Sequence, residues 1–401
     1  MKAAIHSALC ALFLSLSLTI VAAQDSTEQK KCLEVNGYVK QLQALYFFNK
    51  SYPVDAQGTL GDTFLLDNLV HHRLNTTFFL SPKIQLKADV RSRIFYGDIV
   101  KGNPDFANLI GDANNDYLDL SLIVWDNSGW VAHTMLDRLY LEYSYDQWEI
   151  RLGRQRINWG INTIWNPNDI FNAYNFTDFD YEERPGSDAL RVKYFTGFAS
   201  SLELAIAACD HIREARMAAL WKFNWKNYDF QVLTGLASSD WVIGGGWAGN
   251  LGNAGFKGEA AYFIPFIDPD QRKEAFAATF GIDYSFSNTL YLQGGYLYNS
   301  LGSVSGDITG LFNFELSARN LYPFRHAVLL QSALPFSPLL SGSLVAIYSP
   351  IDSKALFINP SLSYSIRENW DLDLVGQLSF NQQEHYFSPL QAVFMRIKWS
   401  Y

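Results

Sequence analysis

The last seven residues of the chain alternate strictly between apolar and polar side chains. Met395, Ile397, Trp399 and Tyr401 would share one face of a strand, and the residues between them are two bases and a serine. Successive side chains of a strand point to opposite faces. The pattern therefore requires an apolar medium on one side of this strand and a polar medium on the other.

The same alternation recurs in segments of strand length along the chain, most clearly in residues 84–94, 279–286 and 371–380. It predicts strands near 34–47, 69–81, 83–96, 135–145, 148–156, 188–196, 200–208, 215–224, 228–237, 240–248, 255–264, 275–286, 289–300, 325–334, 339–349, 355–366, 370–380 and 390–401. Tight turns are expected at residues 81–83, 146–147, 226–227, 287–288 and 368–369. Longer polar connections separate the resulting hairpins, as in a barrel with short turns at one end.

Two segments do not fit this rhythm. Residues 117–125 look like a strand, but counting them as one would move the turn at 146–147 to the wrong end of the barrel. We therefore place them in a long outer loop. Residues 306–323 are ambiguous and could form a helix within a loop.

A terminal strand that ends on an aromatic residue resembles the closing strand of bacterial outer-membrane β-barrels. With the strand rhythm, it predicts an all-β fold, a transmembrane antiparallel β-barrel of about 18 strands (range 16–20) over residues 34–401, with a long central loop folded into the lumen. The resemblance implies the outer membrane of a Gram-negative bacterium, contact with its lipid and lipopolysaccharide, and recognition of Trp399 and Tyr401 by the barrel assembly machinery. A soluble, secreted β-rich protein with a sugar-binding surface is the alternative.

The start of the chain predicts secretion. Residues 1–23 have the basic start, apolar run and small final residues of a signal peptide, with a cut before Gln24. Residues 24–33 would then form a short periplasmic segment. A signal-anchor helix is the alternative. After residue 23 the sequence has no run of about 18 consecutive apolar residues, so it predicts no second membrane helix.

The composition narrows the class of protein. With 18% charged and 15% aromatic residues, the chain is too aromatic to be disordered, and the aromatic residues suit the girdles of a barrel. A net charge of −9 argues against a nucleic-acid partner. Outside the signal peptide only Cys32 and Cys209 remain, so one disulfide is possible and a disulfide framework is not.

The stretch from Arg151 to Arg191 combines paired charges with aromatic residues in a long connection, and loops longer than about 15 residues are usually functional or disordered. We expect it to form a pore constriction from Arg151, Arg154, Gln155, Arg156, Asp169, Asp178, Asp180, Glu182, Glu183, Arg184 and Arg191. Opposed charges at a narrow opening set the selectivity of pores. The alternative is a salt-bridged brace, because arginine pairs well with carboxylates. The two roles can coexist.

Within this block a strand ends in Gly-Arg-Gln, followed by Asn-Trp-Gly, Asn-Pro-x-Asp and Arg-Pro-Gly. It resembles a family of uncharacterised Gram-negative outer-membrane barrels and is more distantly similar to the alginate-export porins. The resemblance puts these residues on family positions: Gly153, Arg154, Gln155, Trp159, Gly160, Asn166, Pro167, Asp169, Pro185 and Gly186. It implies passage of acidic polysaccharide through an arginine-lined lumen, whereas the many acidic residues of this block depart from that pattern.

The polar faces of the predicted strands supply further candidates for the lumen wall. They are Arg73, Lys87, Arg91, Arg93, Arg138, Glu142, Lys193 and Arg396. The set is mostly basic, which predicts a weak preference for anionic solutes. Most charges on such a face are simply solvated.

We find no catalytic or metal-binding motif. The segment 302–306 has Val304 where a nucleophile elbow needs serine. His71 and His72 are adjacent and would point to opposite faces of a strand, which makes them a poor metal pair. We therefore expect no enzymatic activity and no cofactor.

The sequence thus predicts a porin-like outer-membrane channel for the passive passage of small polar or anionic solutes or sugar chains. Residues 151–191 would form its charged constriction. The alternative is a plugged barrel that binds or organises surface polysaccharide or lipopolysaccharide. The sequence leaves both open, because a long loop can narrow a pore or seal it.

Removal of residues 399–401 should impair assembly, because the closing strand would lose its terminal aromatic side chains. The measurement is the amount of folded, heat-modifiable barrel in the outer membranes of cells that express the truncated chain. Normal folded levels would contradict the closing-strand interpretation.

Overall fold

The structure is a computed structural model that describes residues 32–49, 64–112, 117–173, 180, 184–267, 270–382 and 385–401. The predicted signal peptide lies outside the described residues, and its boundary stays a prediction. Within the described ranges, no helix is both long enough and apolar enough to span a membrane.

Most of the described chain belongs to one sheet of 20 strands. The strands are β1 (Leu33–Phe48), β2 (Phe64–Ser81), β3 (Ile84–Gly97), β4 (Ser121–Asn127), β5 (Trp130–Tyr145), β6 (Trp148–Gln155), β7 (Ser187–Gly197), β8 (Ser200–Ala207), β9 (Arg216–Trp225), β10 (Tyr228–Ala237), β11 (Asp240–Leu251), β12 (Ala254–Pro265), β13 (Ala275–Ser285), β14 (Tyr291–Asn299), β15 (His326–Ser337), β16 (Leu340–Ser349), β17 (Ala355–Arg367), β18 (Trp370–Gln382), β19 (Tyr386–Phe387) and β20 (Leu390–Ser400). The predicted strands all recur, with boundaries shifted by a few residues.

The sheet is antiparallel and closes on itself. Each wall strand pairs with the next one along the chain, and β1 pairs with β20, with Tyr38 opposite Ser400. Beyond that pair, Gly37 and Tyr401 exchange two backbone hydrogen bonds of 2.9 and 3.1 Å. Of the 20 strands, β4 and β19 lie outside the ring, so the wall has 18 strands, as predicted. Closure leaves the ring without the unpaired edges of an open sheet.

The tight turns predicted from the sequence all join wall strands at one end of the barrel, which we call the turn end. Several turn residues have a positive φ, including Asp146 (53°), Asn227 (64°) and Asn369 (65°). Two-residue hairpin loops need such backbone conformations, and Asp and Asn adopt them more readily than most residues. Most of the longer connections meet at the opposite end, the loop end.

Strand β4 lies in the connection between β3 and β5, where the sequence predicts an outer loop. It pairs with β5 from Ser121 opposite Met135 to Asn127 opposite Trp130. Strand β6 covers only the other half of β5, from Leu139 to Tyr145, and ends at Gln155. Strand β4 therefore covers the part of β5 that β6 leaves uncovered.

Short helices complete the loop end. They are α1 (Asp98–Gly102), α2 (Phe106–Asp112), a single 3-10 turn (Ile212–Glu214) and α3 (Gly310–Asn313). Helix α3 lies in the ambiguous segment 306–323, where the sequence allows a helix within a loop.

The outer surface of the wall is apolar. Leu330 and Leu374 point away from the lumen and are 59% and 43% exposed. The four apolar residues of the terminal segment also face outward, as predicted, with exposed fractions of 36% to 40%. At the turn end, Trp370 and Trp399 stack with their ring centroids 6.2 Å apart. An apolar belt with aromatic residues at its rim suits a barrel wall surrounded by lipid.

Replacing Leu330 with arginine should destabilise the barrel by about 2–4 kcal/mol if the site lies near the bilayer midplane. The charge would enter the apolar belt. The measurement is urea-dependent folding into phospholipid vesicles. The matched control is Gln331→Arg, because Gln331 is the next residue of β15 and faces the lumen. Equal losses in the two variants would contradict the assignment of the faces.

Candidate functional site in the barrel lumen

The connection between β6 and β7 is residues 156–186, and we call it the lumen loop; its described residues (156–173, 180 and 184–186) lie inside the barrel. Its residues Ile157, Trp159 and Phe171 are only 0%, 1% and 2% exposed. They share an apolar cluster with wall alanines at Ala189, Ala205, Ala207, Ala218, Ala237, Ala261 and Ala275. Because alanine occupies little volume, the wall from β7 to β13 leaves space for the loop. A central loop folded into the lumen, as the sequence predicts, needs such space.

Strand β11 makes room for the lumen loop with glycine. A Cβ atom added at Gly246 would lie 2.6 Å from Ile161 Cδ1, and one at Gly244 would overlap Asn168 Oδ1. Such contacts are closer than real side chains permit. The carbonyl of Gly245 also accepts a 2.9 Å hydrogen bond from Asn168 Nδ2. The loop therefore packs directly on the backbone of β11.

Glu259 on β12 is a polar anchor for the lumen loop. Its carboxylate accepts hydrogen bonds from the backbone N–H groups of Ile161 (3.0 Å), Asn162 (2.8 Å) and Asn168 (3.2 Å). Glu259 is 1% exposed, so these bonds form away from water. A buried donor that loses its partner costs about 1–3 kcal/mol. One wall carboxylate thus holds two separate parts of the loop.

Glu203 on β8 holds the first part of the loop. It accepts a 2.5 Å hydrogen bond from Trp159 Nε1 and a bidentate ion pair from Arg191 at 2.7 and 2.8 Å. The carbonyl of Trp159 accepts a 2.6 Å hydrogen bond from Gln231 Nε2 on β10. The Trp159 ring also contacts Phe171 edge-on, with centroids 5.1 Å apart. Trp159 therefore anchors the loop through its ring and its backbone.

A second connection, residues 300–325, also folds inward. Tyr322 and Phe324 are 0% and 2% exposed, and Trp165 of the lumen loop packs edge-on against Tyr322 with centroids 5.6 Å apart. Burial raises the pKa of the Tyr322 hydroxyl, which lies 3.0 Å from Ser349 Oγ. The two loops support each other against the wall.

The lumen loop also contacts the opposite side of the barrel. Asp180 Oδ1 lies 2.8 Å from Lys40 Nζ on β1 and 3.1 Å from Arg396 Nη1 on β20. Arg396 also pairs with Asp373 on β18 at 2.9 Å. In the strand ring, β1 and β20 lie across from β12, where Glu259 holds the loop. Described residues of the loop therefore reach both sides of the lumen.

Strands β2, β3 and β5 carry a buried charge cluster. Arg73 pairs with Asp137 at 2.8 Å and with Asp89 at 3.3 Å. Arg138 and Arg91 lie 3.0 and 3.8 Å from the two oxygens of Asp137. A bulge beside Asp89 lets Asp137 and Arg138 both be buried. The three predicted arginines thus share two carboxylates, which reduces the charge that they present to a solute.

Arg151 and Arg191 lie opposite each other on β6 and β7. Glu149 approaches both, at 3.2 Å from Arg151 and 3.6 Å from Arg191. Glu142 pairs with Arg151 at 2.6 Å. The two guanidinium side chains remain 25% and 15% exposed. They are paired charges that still contact solvent.

The other predicted wall residues make looser contacts. Lys87 is 34% exposed and lies 4.0 Å from Asp89. Arg93 Nη2 lies 3.2 Å from His133 Nδ1, and the Lys193 ammonium lies 4.4 Å from the centre of an aromatic ring. These cations are spread along the wall.

Arg154 and Gln155, at the end of β6, connect this strand to neighbouring segments of the chain. Arg154 is 1% exposed and forms a bidentate ion pair with Asp188 at 3.0 and 2.9 Å. It also donates to the carbonyls of Leu136 and Leu118. Gln155 Nε2 donates to a carbonyl of β7 at 3.0 Å. These contacts correspond to the brace that the sequence analysis left open as an alternative.

Arg184 joins the end of the lumen loop to its middle. Its guanidinium lies 3.1 Å from Asp169, which is 1% exposed, and its carbonyl accepts a hydrogen bond from Arg138. Burial raises the pKa of Asp169 to about 7, although the nearby charges of Arg184 and Arg156 act in the opposite direction. The Arg184–Asp169 pair holds two parts of the loop together, and the hydrogen bond from Arg138 ties the loop to β5.

The remaining predicted site residues, Asp178, Glu182 and Glu183, lie outside the described residues. Among the described residues, no cluster of His, Cys, Asp and Glu side chains is arranged to hold a metal ion. The ion pairs of the predicted residues lie mainly in the Asp180 contact, the Asp137 cluster, the Arg151–Arg191 group, the Arg154 brace and the Arg184–Asp169 pair.

Sequence reasoning missed several residues that contact the predicted site residues or the lumen loop. They are Lys40, Asp137, Asp188, Glu203, Gln231, Glu259 and Asp373. One signal was available for Glu203 and Glu259. Each is the single carboxylate on the inward face of its strand and has a small inward neighbour, Ala205 beside Glu203 and Ala261 beside Glu259. Small inward residues around one acid indicate that a polar segment packs there.

No family model matches the sequence, and no curated protein matches it. Among solved structures, the chain is similar to Pseudomonas aeruginosa OccK9 (OpdG), with 10% identity, a TM-score of 0.59 and coverage of 92% of this chain and 98% of that one. It is also similar to Pseudomonas aeruginosa OpdQ, with 8% identity, a TM-score of 0.57 and coverage of 93% and 99%. At these identities the likeness shows the fold alone.

The fold is that of Gram-negative outer-membrane porins. A closed barrel with an apolar outer belt agrees with the predicted location in the outer membrane of a Gram-negative bacterium. The similarity of the 151–191 block to alginate-export porins stays a prediction.

Replacing Glu259 with alanine should loosen the lumen loop, because three N–H groups would lose their acceptor, at about 1–3 kcal/mol for each one that stays buried. The measurement is the rate of protease cleavage within residues 156–173 of the folded protein in detergent. Glu259→Gln keeps one acceptor oxygen and should have a smaller effect. Glu214→Ala, on an exposed turn, is the matched control. Unchanged cleavage in Glu259→Ala would contradict the anchoring role.

Proposed function

We propose that the protein is an outer-membrane channel for the passive passage of small polar solutes. The observation that supports this function is a polar part of the wall that the loops leave uncovered. On the inner faces of β16 and β17, Ser341 and Ser363 are exposed. The side chain of Arg396 on β20 remains 15% exposed. A loop that filled the lumen as far as the turn end would bury such groups.

The lumen loop would narrow this channel without filling it. Its apolar residues pack on the arc from β7 to β13, and Asp180 is its described contact with the far wall. We place the charged constriction where Asp180 meets Lys40 and Arg396. Charges that face each other at close range are a usual basis of pore selectivity.

The ion pairs argue for weak charge selectivity. Lys40 and Arg396 share Asp180, and Arg396 also contacts Asp373. A solute at this point would meet two cations and two carboxylates, whose charges compensate each other. The channel should therefore discriminate only weakly by charge and admit neutral solutes. No catalytic step and no cofactor belong to this proposal.

Planar-bilayer recording of the refolded protein tests the proposal. We expect steady conductance, with a reversal potential that shows little preference between anions and cations. Replacing Arg396 with glutamine should shift that preference toward cations, because it removes one cation beside Asp180. Lys226→Gln is the matched control, since Lys226 lies on a turn beside the ring of Trp225. An unchanged reversal potential in Arg396→Gln would overturn the proposed constriction.

The plugged barrel remains the second candidate, and one observation favours it. Two loops form apolar clusters inside the barrel, including Trp165 packed on Tyr322. If the folded, heat-modifiable barrel shows no conductance, the channel proposal fails. Binding of surface polysaccharide or lipopolysaccharide by the same preparation would then support the organising role.

A further inference from the structure

Four adjacent strands of the wall, β14 to β17, are almost free of charge. Within their bounds, Arg367 at the end of β17 is the only Asp, Glu, Lys or Arg residue. The arc from β1 to β7, by contrast, carries the Asp137 cluster and the Arg151–Arg191 group. The two arcs offer a solute different chemistry inside one barrel.

The inner face of the uncharged arc carries hydroxyl and amide groups. They include Gln331, Ser341, Ser343, Asn359, Ser361 and Ser363. Ser343 and Ser361 lie opposite each other with their hydroxyl oxygens 2.7 Å apart, and Ser363 donates a 2.6 Å hydrogen bond to Asp373. Because Asp373 pairs with Arg396 inside the lumen, these contacts place the row on the inner face. We call this row the hydroxyl track.

At the turn end the hydroxyl track opens into a cavity of about 430 Å³. Hydroxyl groups of Ser341, Ser363 and Ser365 line one side, and Asp371, Arg396 and Lys398 lie on the other. Its volume falls within the roughly 300–1,000 Å³ of typical small-molecule sites. The cavity is large enough for a small solute.

The chemistry of these groups suits a neutral, hydroxyl-rich solute. Hydroxyl and amide side chains both donate and accept hydrogen bonds, as do the hydroxyl groups of a sugar or a polyol. Carboxylate and guanidinium groups across the cavity add charge-assisted hydrogen bonds to the same hydroxyls. Along the hydroxyl track itself, a charged solute would lose water beside an uncharged wall without gaining a counter-charge from that wall.

We propose that the hydroxyl track and its cavity bind neutral polyhydroxyl solutes, that is, small sugars and polyols, on their way through the lumen. This inference rests on the proposed channel function and narrows its substrate class. It also differs from the anion preference that the basic residues of the sequence predict. Neutral solutes would follow β15 to β17, away from the Asp137 cluster and the Arg151–Arg191 group.

The test compares mannitol with gluconate, a pair of similar size that differs mainly in charge. Uptake of each into proteoliposomes is measured beside KCl conductance of the same preparation. The variant is Ser341→Ala together with Ser365→Ala, which removes two cavity hydroxyls and keeps the Asp373–Arg396 pair. Ser332→Ala on the lipid-facing side of β15 is the matched control, because Ser332 lies opposite the exposed Leu344.

We expect the native protein to take up mannitol faster than gluconate. The ratio of mannitol uptake to KCl conductance should fall severalfold in the double variant and stay the same in Ser332→Ala. A conducting channel that favours gluconate, or whose mannitol ratio ignores the double variant, would overturn the inference and leave the channel function standing. Absence of KCl conductance would overturn both.

Discussion

The whole structure depends on satisfying the backbone hydrogen bonds of a sheet surrounded by lipid. Water is absent from the hydrocarbon region, so each unpaired N–H or C=O group there costs several kcal/mol. The chain meets this demand by closing the ring, with β1 paired to β20 and Gly37 paired to Tyr401. Closure assigns one face of every strand to lipid and the other to the lumen. The position of each charge in the protein follows from that assignment.

The lumen of such a barrel must be occupied by side chains, by a loop or by water, and in this protein side chains and a loop occupy much of it. Alanines of β7 to β13 and the glycines of β11 accommodate the lumen loop, and Glu203 and Glu259 satisfy its polar groups. Charged and hydroxyl side chains on the remaining wall keep contact with solvent. The wall composition therefore changes around the ring, from small to charged to uncharged polar, according to what each arc faces.

The strand pattern could be predicted because it depends on neighbouring residues. Alternation in 84–94 and the turn at 226–227 both follow from the geometry of a single hairpin. The contacts of the site could not, because their partners are distant in sequence. Arg154 looks like a lumen charge, but its bidentate partner Asp188 is 34 positions away and turns it into a brace. Ile161 and its acceptor Glu259 are 98 positions apart.

The sequence by itself determined the closed barrel, the approximate number of strands, the lipid-facing residues and the location of the central loop within the chain. These features follow from period-two alternation, which every strand of a membrane barrel must show. Only the tertiary structure decided which charges neutralise each other and on which arc of the wall the loop packs. Those outcomes depend on which strands the closed ring brings face to face across the lumen, and no local pattern records that arrangement.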